Sequence, residues 1–353
     1  MATPISSRDK YYILRVSSTT LSVQQQFNEI YSQIRVLSQM SKLSRSSVVF
    51  VRLFLSDVDN QLQYLPKEQP EYALSVVGQS PLDGSKVSAL VYIMQGVIIK
   101  RLDDDTIAVE DGEVVHYWTT NVRFGGETSK VQTRDIFDRY IDGLRERGLT
   151  LLDNCVRTWF YVHDVDRNYQ GVVVGRNEKF AEEGLTTDTH FIASTGIGGD
   201  SIGRDSLVQM DAYAVGGVPT SDIHFLYAKS HLNSTAEYGV AFERGTYVDY
   251  PGIRRVFISG TASIDNRGEV LYEGDVVAQT GRALENIEVL LSEADTTFDN
   301  VQYFLVYLRD TADYTVVRDI MTERFGDEKP FVILHAPVCR PKWLVEIECV
   351  AIR

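Results

Sequence analysis

Two glutamates, Glu346 and Glu348, interrupt an otherwise apolar stretch near the C-terminus, "KWLVEIECVAIR". Alternate residues of a strand share a face, so both carboxylates point one way and Val345, Ile347, Cys349 and Ala351 the other. A pair like this is ordinarily solvated or ion-paired. In a cleft that excludes water, however, the carboxyl pKa rises and the group can serve as a general acid. Glu346 is the expected acid and Glu348 the structural partner, although the pattern alone does not separate them. Arg176 in "VVVGRNEKF" and Arg318 in "TVVRDIM" lie on helices, and Arg340 lies on the loop entering the last strand. Each by itself reads as a surface or ion-pairing residue. Together with Glu346 they would suit a small anionic metabolite bearing carboxylates, because guanidinium binds carboxylate through two parallel hydrogen bonds.

Other chemistries find less support. His335 and Cys339 flank the closing loop, where a Cys/His nucleophilic pair stays open beside a plainer buried thiol and polar loop residue. The six histidines form no HExxH and no His/Cys cluster with metal spacing, so no metal is expected. No GxGxxG and no GK[ST] is present, and no cofactor is expected. "STGIGG" (194–199) and "SGTASI" (259–264) read as turns beside strands, whose backbone N–H groups are able to approach an anion.

The elements that must position these residues recur three times. In the last third, Ala283, Ile287, Leu290 and Ala294 mark one helical face, followed by the apolar strand "VQYFLVYL", an acidic loop and a second helix. Ile136, Tyr140 and Leu144, then "CVRTWFYVHDVD", repeat this in the middle third. Phe27, Ile30, Ile34 and Leu37 repeat it more loosely in the first. Each copy closes with a strand. Aligning the pairs Leu90-Val91, Leu207-Val208 and Leu344-Val345 sets Tyr92, Gln209 and Glu346 at one equivalent position. The pattern predicts an α+β unit used three times, over 1–105, 106–220 and 221–353, the first degenerate and the third carrying the glutamate. Three related units suggest a pseudo-trimer with helices outside a central sheet barrel, as a monomer or a higher oligomer.

Composition bounds the rest. The 353 residues are 44% hydrophobic and 24% charged, as in globular proteins, with a formal net charge of −14. That charge disfavours nucleic acid as a partner. No apolar run is long enough to span a bilayer, so no membrane partner is expected. The opening "MATPISSRDKYYILRV" lacks signal-peptide character, and three scattered cysteines suggest a reducing compartment; a cytoplasmic location is expected.

The third unit resembles the Rid (YjgF-type, L-PSP endoribonuclease-like) family through "FISGTASID", "QTGRALENIEVLLSEA", "VYLRDTADYTVVRD" and "VEIECVAI". That resemblance implies chorismate-mutase-like α+β units assembled as trimers, with ligand clefts between them. Imine-hydrolysing members grip the substrate carboxylate with an arginine in a "PxR"-like segment, which here reads "KPFVIL" with Phe331 in its place. A longer stretch, from about residue 115 onward, resembles the chorismatases through "TRDIFDRYIDGLRERG", "VGRNEKF", "STGIGG", "AFERG" and "CRPKWLVEIE". These enzymes split chorismate into pyruvate and a cyclic or aromatic acid. By that resemblance Glu346 matches the catalytic glutamate, Arg176 and Arg318 the carboxylate-binding arginines, and Tyr227 an active-site tyrosine. The stretches "HLNSTAEYGVAF" and "DNRGEVLYEGD" depart from the family pattern. The leading expectation is a chorismatase-like lyase or hydrolase. The alternatives are a Rid-type imine or enamine deaminase and a non-catalytic metabolite-binding scaffold.

Overall fold

A computed structural model describes residues 8–43, 45–235, 239–326 and 329–353. The first seven residues of the opening segment, and 236–238 within "HLNSTAEYGVAF", lie outside the described residues.

The first third contributes β1 (Asp9–Leu14), α1 (Val23–Leu43), β2 (Ser46–Leu55), α2 (Val58–Gln61), β3 (Ala73–Gly78), β4 (Ser80–Pro81) and β5 (Val87–Gln95). The second contributes β6 (Ile98–Arg101), β7 (Thr106–Asp111), β8 (Val114–Arg123), α3 (Ser129–Glu146), α4 (Leu151–Asn154), β9 (Cys155–Val162), α5 (Val165–Glu182), β10 (Ala193–Gly198) and β11 (Val208–Gly216). The third contributes β12 (Ile223–Leu226), β13 (Gly245–Tyr250), β14 (Ile253–Ala262), α6 (Val276–Glu293), β15 (Val301–Leu308), α7 (Tyr314–Phe325), β16 (Phe331–His335) and β17 (Val345–Ile352).

Three mixed sheets result, ordered β1-β5-β2-β3, β10-β9-β11-β8-β7-β6 and β12-β13-β14-β17-β15-β16-β4. Within them one strand order recurs: β1-β5-β2-β3 matches β8-β11-β9-β10 and β14-β17-β15-β16, each with a single parallel pair at its end. Among the described residues the first copy shows no strand at the place of β7 and β13, and its second helix is the single turn α2. The apolar helix faces expected from periodicity are buried: Phe27, Ile30 and Ile34 in α1, Ile136, Tyr140 and Leu144 in α3, and Ala283, Ile287 and Leu290 in α6.

No closed barrel forms, contrary to the expectation of a central barrel. The strand ladders stop at the edges of the three sheets, which meet through isolated bridges, Gly78 with Asp200, Ala193 with Glu243 and Ile197 with Val338. The gap is filled by side chains. Tyr11 stacks on Tyr92 (4.3 Å) and tilts against Tyr303 (5.2 Å), while Trp118 packs on Phe50 (4.7 Å) and Tyr213 (4.6 Å). Three buried ion pairs tie the sheets: Arg52–Asp211 (3.0 Å), Arg157–Glu348 (2.8 Å) and Arg255–Asp9 (3.0 Å), joining first to second, second to third and third to first. Among the described residues, no helix is long and apolar enough to cross a membrane.

A buried glutamine sets each closing strand. Oε1 of Gln26, Gln132 and Gln279 accepts the backbone N–H of Lys86, Leu207 and Leu344 respectively, at 2.7, 2.7 and 2.9 Å. Their amides donate back to loop carbonyls, such as Leu21 O, Asp205 O and Lys342 O. These contacts make Lys86, Leu207 and Leu344 equivalent, and the ladder agrees: Ser88, Gln209 and Glu346 pair with Phe54, Tyr161 and Tyr307. The first-unit counterpart of Glu346 is therefore Ser88 and not Tyr92. The pair Leu90-Val91 falls four residues beyond the true register.

Candidate active site

All eight residues of β17 are buried, so neither face of the strand meets bulk water. The two glutamates on its polar face have opposite fates. Glu348 is fully engaged: Arg157 donates to Oε2 (2.8 Å), Trp159 Nε1 donates to Oε1 (2.9 Å), and the Thr195 hydroxyl donates to Oε2. Glu346, 5% exposed, instead borders a cavity of about 360 Å³ between the second and third sheets. Burial, reinforced by the neighbouring Glu348 carboxylate, pushes its pKa up to about 8; Arg157 and Arg244 pull the other way.

The local backbone makes room for this carboxyl. In β14 the register against β17 slips between Ile258 and Thr261, a bulge that carries Gly260. A Cβ on Gly260 would stand 2.0 Å from Glu346 Oε1, so any larger residue there would push the carboxyl from this place. "SGTASI" is therefore the end of a strand and not a turn. "STGIGG" is likewise β10, an edge strand, and a Cβ on Gly198 would collide with Pro337 (2.8 Å). Gly198 N–H donates to Pro337 O (2.9 Å), which docks the closing loop of the third unit on the second. Arg309 adds a two-point ion pair to Asp166 at the start of α5 (2.8 and 2.9 Å) and a hydrogen bond to Val338 O.

Three guanidiniums line the same cavity. Arg176, on α5, is 1% exposed and lies over the Phe242 ring (5.9 Å). Arg244, entering β13, flanks the same ring (5.3 Å) and is anchored on Asn233 O and Oδ1 (3.2 and 3.1 Å). Arg340 lies over Trp343 (5.1 Å). The rest of the wall is mixed, with Tyr169, Ile264, Cys339 and Trp343. Among the described residues no cluster of His, Cys, Asp and Glu is placed to hold a metal. One weak acid held protonated near neutrality, facing cations in a partly apolar chamber, can donate a proton to an anionic substrate.

A family model described as Endoribonuclease L-PSP matches residues 241–353. The solved structure of a chorismatase superposes with a TM-score of 0.70 over 97% of this chain and 98% of that one, a likeness of fold at 20% identity. The chorismatase of Streptomyces rapamycinicus is 30% identical over 210 residues, 54% of this chain and 62% of its own. The 3-hydroxybenzoate synthase of Streptomyces hygroscopicus is 30% identical over 241 residues, 60% of this chain and 69% of its own. The chain belongs to the chorismatase branch of the Rid-like proteins.

Within this chorismatase-branch chain, the cavity brings together Glu346, Arg176 and Arg340 of the residues singled out from sequence. Arg318 is not with them. It is on α7, half exposed and paired with Asp319 (2.7 Å), and lines a different cleft between the third and first units. Tyr227 also stands outside. It borders a neighbouring hollow that shares only the wall residues Phe242 and Arg244 with the main cavity. Cys339 does line the cavity, but burial and the nearby Glu346 push its thiol up to about 12. His335 pairs along β16 with Ser80 of β4 and is not among the residues lining this cavity. Arg244 is the residue missed from sequence; its one signal was the "AFERG" motif, which carried no spacing argument.

Proposed function

We propose that this chain cleaves the enolpyruvyl ether of chorismate or a closely related dicarboxylate, with Glu346 as proton donor. The carrying observation is the position of Glu346: a buried carboxyl with its pKa raised to about 8, facing a cavity lined by three arginines. An enolpyruvyl ether is protonated at its terminal methylene carbon. The Glu346 proton makes that carbon a methyl, and positive charge develops on the ether-bearing carbon and its oxygen. Water adds there, the bond from that carbon to the ring oxygen breaks, and pyruvate and a ring alcohol separate. A proton released from the added water returns to Glu346. Loss of ring hydroxyl and proton in place of net hydration would give an aromatic acid.

Chorismate has two carboxylates, and Arg176, Arg244 and Arg340 supply cations for both. The Phe242 ring lies within cation–π distance of both Arg176 and Arg244 (5.9 and 5.3 Å). The reading also takes the three recurring units as a pseudo-threefold body in which one cleft carries the chemistry. The imine-hydrolase alternative lacks its arginine: Phe331 holds that place and lines the other cleft.

Purified protein incubated with chorismate is expected to release pyruvate, read with a coupled lactate dehydrogenase assay. Glu346→Gln is expected to lower kcat by about 10²–10⁴-fold, the usual scale of a lost general acid. Absence of pyruvate from the wild type overturns the substrate. Release that survives Glu346→Gln overturns the mechanism.

A further inference from the structure

Thr195, on the edge strand β10 of the second unit, is 1% exposed, and its hydroxyl meets three partners. Arg157 and the Gly260 N–H (2.9 Å) donate to it, and it donates to Oε2 of Glu348. A hydroxyl has one proton and two lone pairs, so this one is saturated. A guanidinium and a backbone N–H only give protons, which leaves the Thr195 proton a single destination. Every bond to Glu348 then comes from a donor: Arg157 and Thr195 at Oε2, Trp159 Nε1 at Oε1. A carboxyl met by three donors is held ionised.

Strand register shows what this hydroxyl serves. Thr195, Ser75 and Val332 face Trp159, Arg52 and Leu305 across the three parallel pairs. The closing strands set Asp211, Leu90 and Glu348 against the same three residues. Ser75 repeats the contact, donating to Asp211 Oδ2 (2.5 Å) beside Arg52 (3.0 Å). Where the carboxylate place holds Leu90, the hydroxyl place holds Val332. Hydroxyl and carboxylate thus come and go together. The two clasps differ in what lies beside them. Gln209, an amide, precedes Asp211 by two residues, whereas Glu346 precedes Glu348. Asn121 and Gly260 hold one equivalent place, two residues before the strand partners of Gln209 and Glu346. Asn121 N–H goes straight to Asp211 (2.9 Å), but Gly260 N–H goes to Thr195.

Glu346 is faced by Glu348 along the strand, Arg157 on β9, Arg244 before β13, and Cys339 and Arg340 on the closing loop. Asp166, Tyr169 and Arg176 reach the cavity from α5. Arg52 on β2, Tyr161 on β9, and Tyr303 and Tyr307 on β15 act on Glu348. When two adjacent carboxyls share one proton, the one with more donors ionises and its charge keeps the proton on the other. We propose that Thr195 is a positioning residue: by completing the donor set of Glu348, it reserves the proton of the acidic pair for Glu346. The assignment rests on Glu346 as the proton donor, and it makes the second unit decide which carboxyl of the third carries the proton.

The test is infrared spectroscopy of the full chain without substrate. The carbonyl band of protonated Glu346 is isolated by subtracting Glu346→Gln and followed against pH. Its wild-type midpoint is expected at about 8. Thr195→Val, which keeps the shape and removes the hydroxyl, should lower the midpoint by about one unit or more, the tenfold scale of a lost hydrogen bond to a charge. Thr195→Ser should restore it. Trp159→Phe, which removes another donor and keeps a ring, should lower it as well. Ser75→Ala removes the matching hydroxyl at the other junction and should leave it in place. An unmoved midpoint in folded Thr195→Val, or an equal movement in Ser75→Ala, overturns the proposal. If Thr195→Val does not fold, an unmoved midpoint in Trp159→Phe overturns it. A wild-type band absent at about pH 7 overturns Glu346 as the acid and this assignment with it. A band present without pyruvate release from chorismate overturns the substrate alone.

Discussion

At the scale of the residue, Glu346 and Glu348 show how two identical side chains on one strand face are driven apart by their neighbours. Glu348 has a guanidinium, an indole and a hydroxyl; Glu346 has a cavity and a glycine. Because an acid must be protonated to donate, kcat/KM is expected to be level below neutrality and to fall about tenfold per unit above pH 8, read from a pH–rate profile. The same proton couples to folding. The folded pKa is raised, so the contribution of this group is fully present below the ordinary carboxylate range and is lost as pH rises through about 8. Glu346→Gln, neutral throughout, escapes that loss. It should melt above wild type at pH 8, by a margin on the order of a few kcal/mol, while inactive. Gly260→Ala should leave the fold and displace the carboxyl, with activity falling at least tenfold for a stability cost of about 1–3 kcal/mol, compared by turnover and thermal melting. Glu346 drew notice as a charged residue inside an apolar strand and Arg176 through the "VGRNEKF" resemblance, and both line the cavity. Arg244 was not legible, since its importance comes from Asn233 and Phe242, neighbours that only the folded chain supplies.

At the scale of the element, helix periodicity and buried-strand runs carried through almost unchanged, from the α1 face of Phe27 and Ile30 to the α6 face of Ile287 and Leu290. Register did not. A strand rich in Leu and Val offers several self-similar alignments, and the pair chosen in the first unit is displaced by four residues from the one the Gln26–Lys86 contact selects. Gly-rich stretches misled for a related reason. "STGIGG" has turn composition, but its glycines let Tyr169 and Pro337 approach an extended edge. The glutamine clasp is testable here. Gln279→Ala frees Leu344 N–H and two loop carbonyls and is expected to lower stability by about 1–3 kcal/mol, seen as a reduced urea midpoint at unchanged slope. Because the clasped loop carries Arg340 and Trp343, KM should rise in the same variant.

At the scale of the whole molecule, the recurring helix and strand pattern was legible from the repeats, whereas the way the three sheets meet was not. Barrel closure needs continuous ladders, and the edges here end at single bridges and aromatic packing. The buried pairs Arg52–Asp211, Arg157–Glu348 and Arg255–Asp9 link distant parts of the chain, up to 246 residues apart, which no local pattern announces. Arg157→Met alone strands a buried carboxylate and is expected to cost about 3–5 kcal/mol. The double variant Arg157→Met/Glu348→Leu should recover most of it, compared by equilibrium unfolding.

The position shared by Ser88, Gln209 and Glu346 has one more consequence. Gln209 reaches across to Val76 O (2.9 Å) and Asn121 Oδ1 (3.2 Å), and Ser88 to Leu14 O. In an assembly of three identical chains, any change at this position would be imposed on all three clefts at once, so reactivity and adhesion would compete. On the pseudo-threefold reading proposed above, joining the copies in one polypeptide releases that constraint: a mutation lands once. One junction is then free to become glue and another to tighten, while the remaining one keeps a labile proton.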